Sequence, residues 1–175
     1  MTYPITDIIH GDIKPQNILI FKDGPDGYVA RVADFGFSTW FRGDNDLILM
    51  PRSRPWYAPE YHHRGFRPDN AKRMDAYSFG MLCLWLLFGP FLGFKDLPEL
   101  ELLEYWKSEN KLSGQATRLV VEYGCFNSDM TDKLCQFFDS TLVHEPDKRS
   151  IKFELILSLP VSSRYCSQWK LTLTV

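Results

Sequence analysis

Residues 8–20 read Ile8-Ile9-His10-Gly11-Asp12-Ile13-Lys14-Pro15-Gln16-Asn17-Ile18-Leu19-Ile20. A carboxylate, Asp12, and a carboxamide, Asn17, stand five residues apart, immediately before an apolar run of strand type. A loop of that length can aim both side chains at one point. Asp12 is a candidate to orient an attacking hydroxyl and accept its proton. Asn17 offers an oxygen ligand to a hard cation such as Mg²⁺. Lys14 puts a positive charge where a phosphoryl group would be transferred.

Working outward, Ile18–Phe21 and Tyr28–Val32 are β-type runs. The segment between them, Lys22-Asp23-Gly24-Pro25-Asp26-Gly27, is rich in turn residues, so the spacing predicts a β-hairpin with a longish loop. Asp34-Phe35-Gly36 follows the hairpin and sets another carboxylate 17 residues after Asn17. A hairpin returns the chain to its starting point, so Asp34 and Asn17 can meet at one metal. Mg²⁺ held by one or two protein oxygens plus phosphates is the usual arrangement for phosphoryl transfer. Taken singly, Asp-Phe-Gly is a common turn tripeptide and Asp12 could be a capping residue. The order, the spacing and the hairpin between them give the pair its meaning.

Beyond the hairpin, 42–54 is polar and irregular with an apolar patch at Leu47–Met50, which reads as an ordered loop. Periodicity then predicts helices over Arg73–Phe88, Leu97–Lys107 and Met130–Val143, with a short one over Phe153–Leu159. The second is amphipathic through Leu100, Leu103 and Trp106. The third carries Leu134, Phe137, Phe138 and Leu142, with Thr131 or Asp129 as its cap. Ala76–Phe94 lacks any charged residue, long enough to suggest a membrane span. Gly80, Gly89, Pro90 and Gly93 argue instead for a buried helix ending near Phe88, capped by Gly89 and stopped by Pro90. The fold expected is mainly α with a small β-hairpin, and nothing after Pro160 has a pattern.

Composition narrows the function classes. A chain of 175 residues, 45% hydrophobic and 15% aromatic, builds one domain with a core and is not a disordered tail. Twenty basic residues against 22 acidic ones, with no basic block, give no footprint for nucleic acid. Cys83, Cys125, Cys135 and Cys166 form no CxxC pair, so they read as reduced thiols and favour an intracellular location, cytoplasmic or nuclear. His62 and His63 have no Cys or carboxylate at ligand spacing and read as solvated loop residues. Met1–Ile9 has no basic n-region and reads as no signal peptide.

His10-Gly11-Asp12-Ile13-Lys14-Pro15-Gln16-Asn17 resembles the catalytic loop of eukaryotic-type protein kinases, and Asp34-Phe35-Gly36 the magnesium-binding motif that follows it. Ala58-Pro59-Glu60 resembles the end of the activation segment. Asp75-Ala76-Tyr77-Ser78-Phe79-Gly80 is similar to the start of the central hydrophobic helix of the large lobe. His144-Glu145-Pro146-Asp147-Lys148-Arg149 is similar to the late segment whose arginine pairs with the glutamate of Ala-Pro-Glu. Five landmarks in order span residues 8 to about 159. The resemblance implies a protein-kinase-like large (C-terminal) lobe over 1–160, with 161–175 a tail of unknown structure. It implies an ATP-dependent serine/threonine kinase acting on a protein hydroxyl, with ATP and Mg²⁺ as cofactors. Asp12 would be the catalytic base and Lys14 would contact the γ-phosphate; Asn17 and Asp34 would hold Mg²⁺. Arg52-Ser53-Arg54-Pro55-Trp56-Tyr57 would form the pocket beside the acceptor, with Ser53 beside the catalytic aspartate. Glu60 and Arg149 would form a buried ion pair whose disruption costs about 3–5 kcal/mol. Asp75, Arg149 and His10 would be structural supports.

The sequence departs from the family pattern at three places. Gly11 stands where many members have arginine, which implies activity independent of activation-loop phosphorylation; Ser38, Thr39 and Ser53 are the only Ser or Thr hydroxyls between Asp34 and Glu60. Arg52 replaces a usual glycine. There is no GxGxxG and no VAxK-type lysine upstream of His10, so the expectation is a fragment without the nucleotide-gripping lobe. Only Met1–Asp7 would remain of the helix before the catalytic loop. Such a fragment would be marginally stable, with an apolar groove for a partner beside Arg73–Phe88. The competing readings are a pseudokinase or interaction fragment, and a small-molecule phosphotransferase. Lys14, Ala58-Pro59-Glu60 and the Asp75 helix speak against the latter.

Overall fold

The computed structural model describes residues 8–25, 27–40, 46–89 and 99–150. The helix expected at 153–159, the tail 161–175, the remnant 1–7, Cys166 and the Pro90 stop lie outside those residues.

Two small antiparallel sheets come first. β1 (Ile8–Ile9) pairs with β4 (Thr39–Trp40), and β2 (Ile18–Asp23) with β3 (Gly27–Val32). Register in the second sheet runs from Ile18↔Val32 to Asp23↔Gly27. The hairpin is where the sequence puts it, but its strands extend further into the turn segment, leaving a short loop. β1 and β4 were not foreseen, because two-residue strands carry no periodicity. Residues 46–66 hold a bridge between Ile48 and Phe66. Within the Leu47–Met50 patch, Ile48 and Met50 are buried while Leu47 and Leu49 face out, the alternation of an extended chain.

Four helices follow: α1 (Pro68–Phe88), α2 (Glu99–Ser108), α3 (Leu112–Tyr123) and α4 (Ser128–Thr141). α1 begins five residues before Arg73, with Pro68 in its first turn, where the missing N–H is harmless. Met74, Tyr77, Met81, Leu84 and Phe88 form one buried stripe, which Ala76 and Gly80 widen on one flank and Ser78 and Leu82 on the other. That broad burial makes the segment read as lipid-compatible; among the described residues no helix is long and apolar enough to cross a membrane. Gly89 closes α1 in a right-handed helical conformation, not the left-handed one of a glycine cap. α3, absent from the periodicity reading, buries Leu112, Ala116, Leu119 and Val120 against α4. In α2 the buried residues are Leu102, Leu103 and Trp106, whereas Leu100 is exposed. α4 is capped by Asn127, whose Oδ1 accepts from Met130 N at 2.8 Å, and not by Thr131 or Asp129.

α1 and α4 touch at Gly80. A Cβ there would stand 2.6 Å from Thr141 Oγ1 and 2.8 Å from Leu142 Cδ2. Thr141 is itself fixed by donating to Phe137 O at 2.8 Å. Gly80→Ala gains up to about 1 kcal/mol of helix propensity but overpacks by about 1–3 kcal/mol. A net loss of about 1–2 kcal/mol is expected as a lowered urea midpoint with an unchanged m-value.

The apolar surface lies elsewhere than expected. Among the described residues α1 exposes one large apolar side chain, Leu86. Leu19, Ile20, Phe21, Tyr28, Val29 and Val32 of the hairpin are exposed instead, as are Phe35, Phe37 and Trp40.

Candidate active site

The loop between β1 and β2 is held from below by α1. Asp75 accepts from His10 N at 2.7 Å and from Gly11 N at 2.9 Å, one carboxylate oxygen to each. The His10 ring donates from Nε2 to Ala33 O at 3.0 Å and accepts at Nδ1 from Asp12 N at 3.2 Å. One tautomer satisfies both bonds. Ser38 donates to His10 O, and the ring meets the edge of Phe35. Thus His10 joins the loop to the turn after β3, as its expected supporting role requires. Gly11 adopts φ +81°, and a Cβ there would meet Phe37 O at 3.2 Å. An arginine at this position would be strained by the backbone alone.

Asp12 sits at the centre, 3% exposed. Its Oδ1 accepts from Ser53 Oγ at 2.6 Å. Its Oδ2 forms a 2.6 Å ion pair with Lys14 Nζ and accepts from Asn17 Nδ2 at 3.2 Å. Asn17 Nδ2 also donates to the Asp12 carbonyl at 2.8 Å, and Lys14 donates to Ser53 at 3.3 Å. A 3-10 turn over Pro15–Asn17 delivers Asn17 back onto Asp12. With the amide nitrogen of Asn17 committed to Asp12, its oxygen is the end that could coordinate a cation. The structure therefore brings Asp12, Lys14, Asn17 and Ser53 together.

Asp34 is placed differently. The bond from Ala33 N to Asn17 O, 2.8 Å, sets its backbone beside the loop. Its own side chain is exposed, in a left-handed residue (φ 60°), and accepts from Gly36 N at 3.3 Å. It makes no hydrogen bond to Asn17 or Asp12. Among the described residues no group of three His, Cys, Asp or Glu side chains could hold a metal. Asn17 and Asp34 are all-oxygen donors, which fits Mg²⁺ completed by phosphate oxygens and not a thiophilic metal. His62 and His63 are exposed beside Phe66 and Tyr61.

A shallow depression beside Asp12 is lined by Met50, Pro51, Ser53, Trp56, Tyr57 and Met74, among others. Its enclosed space is about 10 Å³, room for about one water. The backbone of this wall is pinned by two groups. Ser78 of α1 donates to Trp56 O at 2.9 Å. Lys107 of α2, buried, donates to Pro55 O at 2.7 Å and Tyr57 O at 3.1 Å, pairs with Glu104 at 2.7 Å and lies over the Tyr57 ring. Burial pulls the Lys107 ammonium below the usual lysine range, against the pull of Glu104. Sequence reasoning missed Lys107; only the Glu104-to-Lys107 spacing hinted that it was not an ordinary solvated lysine.

The second ion pair is Arg149 with Glu60, bidentate at 2.5 and 2.8 Å. Arg73 donates to the carbonyls of Pro146, Asp147 and Arg149, tying that turn to α1.

Burial pushes the Asp75 carboxyl up to about 6, against the pull of its two backbone N–H donors. The folded protein therefore binds this proton more tightly than an unfolded chain does. The group's contribution to stability is full below about pH 4 and is lost as pH rises through 6, by about 3 kcal/mol at 1.36 kcal/mol per unit. Asp75→Asn removes the titration. The stability difference, wild type minus variant, is expected to fall between pH 4 and 6 and stay flat above, measured by urea unfolding at each pH. A level difference across that window would contradict this placement of Asp75.

A model of the protein kinase domain matches residues 5–158. Ribosomal protein S6 kinase alpha-6 of Danio rerio is 37% identical over 111 residues, 61% of the chain and 15% of that protein. The leucine-rich repeat receptor-like protein kinase TDR of Arabidopsis thaliana is 35% identical over 82 residues, 47% of the chain and 7% of that protein. Rust resistance kinase Lr10 of Triticum aestivum is 32% identical over 126 residues, 66% of the chain and 18% of that protein. The chain thus spans less than a fifth of the length of these relatives.

Proposed function

Because the chain belongs to the protein kinase domain family, we propose that it supplies the acceptor-side half of an ATP-dependent serine/threonine protein kinase. Residues 1–160 act as the large lobe in this reading. The reaction joins a protein Ser or Thr oxygen to the γ-phosphorus as the bond to the β-phosphate oxygen breaks, and ADP leaves. Asp12 orients the acceptor hydroxyl and takes its proton. Lys14, already beside Asp12, neutralises charge on the transferring phosphoryl oxygens. Asn17 and Asp34 would hold Mg²⁺ through their side-chain oxygens. When bound, Mg²⁺ screens the phosphate charge and fixes the nucleotide's pose. Ser53 holds Asp12 in one rotamer until the acceptor hydroxyl replaces it.

The observation carrying this reading is the single carboxylate of Asp12, which meets Ser53, Lys14 and Asn17 at once. A carboxylate kept only for capping needs none of the three. The sequence contains no GxGxxG, so the grip on the far side of the nucleotide would come from outside these residues. The test uses the full-length protein with γ-labelled ATP, Mg²⁺ and a mixed Ser/Thr peptide library. Label on Ser or Thr, abolished by chelation, is expected. No transfer by a protein that binds Mg-ATP would favour a non-catalytic role.

A further inference from the structure

Two arginines flank Ser53. Since Ser53 Oγ is 2.6 Å from the Asp12 carboxylate, whatever hydroxyl faces Asp12 lies against residues 52–54. Both Arg52 and Arg54 are exposed. Among the described residues, Arg52 hydrogen-bonds to Tyr57 OH only, at 3.4 Å, and stacks over its ring. Among the described residues, Arg54 has only a 3.8 Å approach to Glu104, with its side chain 68% exposed.

Charge around Ser53 is unbalanced. Lys14 is matched by Asp12 and Lys107 by Glu104, each at 2.6–2.7 Å. Arg52 and Arg54 remain, sharing the already paired Glu104. Their field reaches inward, since both help to pull the buried Lys107 ammonium down. Two planar guanidinium forks beside the acceptor position match the geometry of a carboxylate or a phosphate.

We propose that Arg52 and Arg54 form a clamp that selects acceptor sequences carrying an anionic side chain within two residues of the phosphorylated hydroxyl. The range follows from reach: neighbouring residues of an extended peptide advance about 3.3–3.6 Å each. The inference rests on the phosphotransfer reading of Asp12 and specifies its substrate class. Exposed ion pairs contribute little singly, so two forks on one anion set the expected preference at about tenfold.

The test again uses the full-length protein. Peptides with one Ser acceptor carry Asp, phosphoserine, Asn or Lys at each of the two positions on either side. Measurements are kcat/KM and, for the same peptides with the acceptor changed to Ala, binding by fluorescence anisotropy at 50 and 200 mM salt (about a twofold change in Debye length). Expected is about a tenfold advantage for an anion at one or more positions, from Asp or phosphoserine, weakened by salt. The double variant R52E/R54E should reverse it in favour of Lys, which a merely damaged fold would not do. Transfer with no anion preference, or a preference untouched by R52E/R54E, overturns the clamp and leaves phosphotransfer standing. If no peptide is phosphorylated, the binding arm decides: tighter anionic binding lost in R52E/R54E supports the clamp, and equal binding overturns it.

Discussion

Arg149→Met is expected to lower folding stability by about 3–5 kcal/mol, enough to leave an appreciable unfolded fraction in a domain at the low end of the ordinary range, about 5 kcal/mol. The guanidinium is fully buried and Glu60 is about four-fifths buried. Besides the fork to Glu60, Arg149 donates from Nε to Val143 O at 2.8 Å and from Nη2 to His144 O at 2.7 Å, and lies over the Tyr77 ring. Methionine fills the volume but leaves a carboxylate and two carbonyls without donors. The double variant E60M/R149M removes both charges and should recover much of the loss, since apolar replacement of a whole buried pair is often neutral. Urea unfolding of the single and double variants gives the comparison. A single-variant loss below about 1 kcal/mol would class this as a surface-type pair.

Asp12→Asn is expected to reduce kcat for phosphotransfer by about 10²–10⁴, the range for a general base, or about 3–5 kcal/mol of barrier. Asparagine keeps the shape, but its amide cannot take the hydroxyl proton, and it leaves Lys14 without its anion. The loss should fall on kcat with KM for ATP little changed, because Asp12 bonds to Ser53, beside the acceptor position of the proposed reaction. A circular-dichroism melt of the variant separates lost chemistry from lost fold. Undiminished kcat would remove Asp12 from the reaction.

Much of this was legible because the informative residues are local. His10 to Asn17 are contiguous, and the hairpin to Asp34 follows from turn residues at 22–27. The long helix was visible because α1 is buried over a broad face. What escaped was written in tertiary contacts. α3 has a good apolar face, but Gly114 and Thr117 dilute the pattern. Lys107 looks like any helix-end lysine until Pro55 and Tyr57 turn their carbonyls toward it. That the Asp34 side chain bonds within its own turn, to Gly36 N, could not be read from a spacing of residues. The tie from Arg73 to the 146–149 turn joins positions more than seventy residues apart.

The exposed ribbon has a consequence for the site it leads to. Apart from Ile18 and Gly27, which are half-buried, every residue of the two hairpin strands is exposed. Without a buried face, side chains do little to resist slippage of one strand along the other, and the connection between Asp23 and Gly27 sets the phase. That phase decides where Ala33 meets Asn17, and so how far Asp34 stands from the Asp12 carboxylate. One residue added to the connection, about 20 Å of extended strand from Asn17 at about 3.3 Å per residue, would shift Asp34 relative to Asn17 by a whole step.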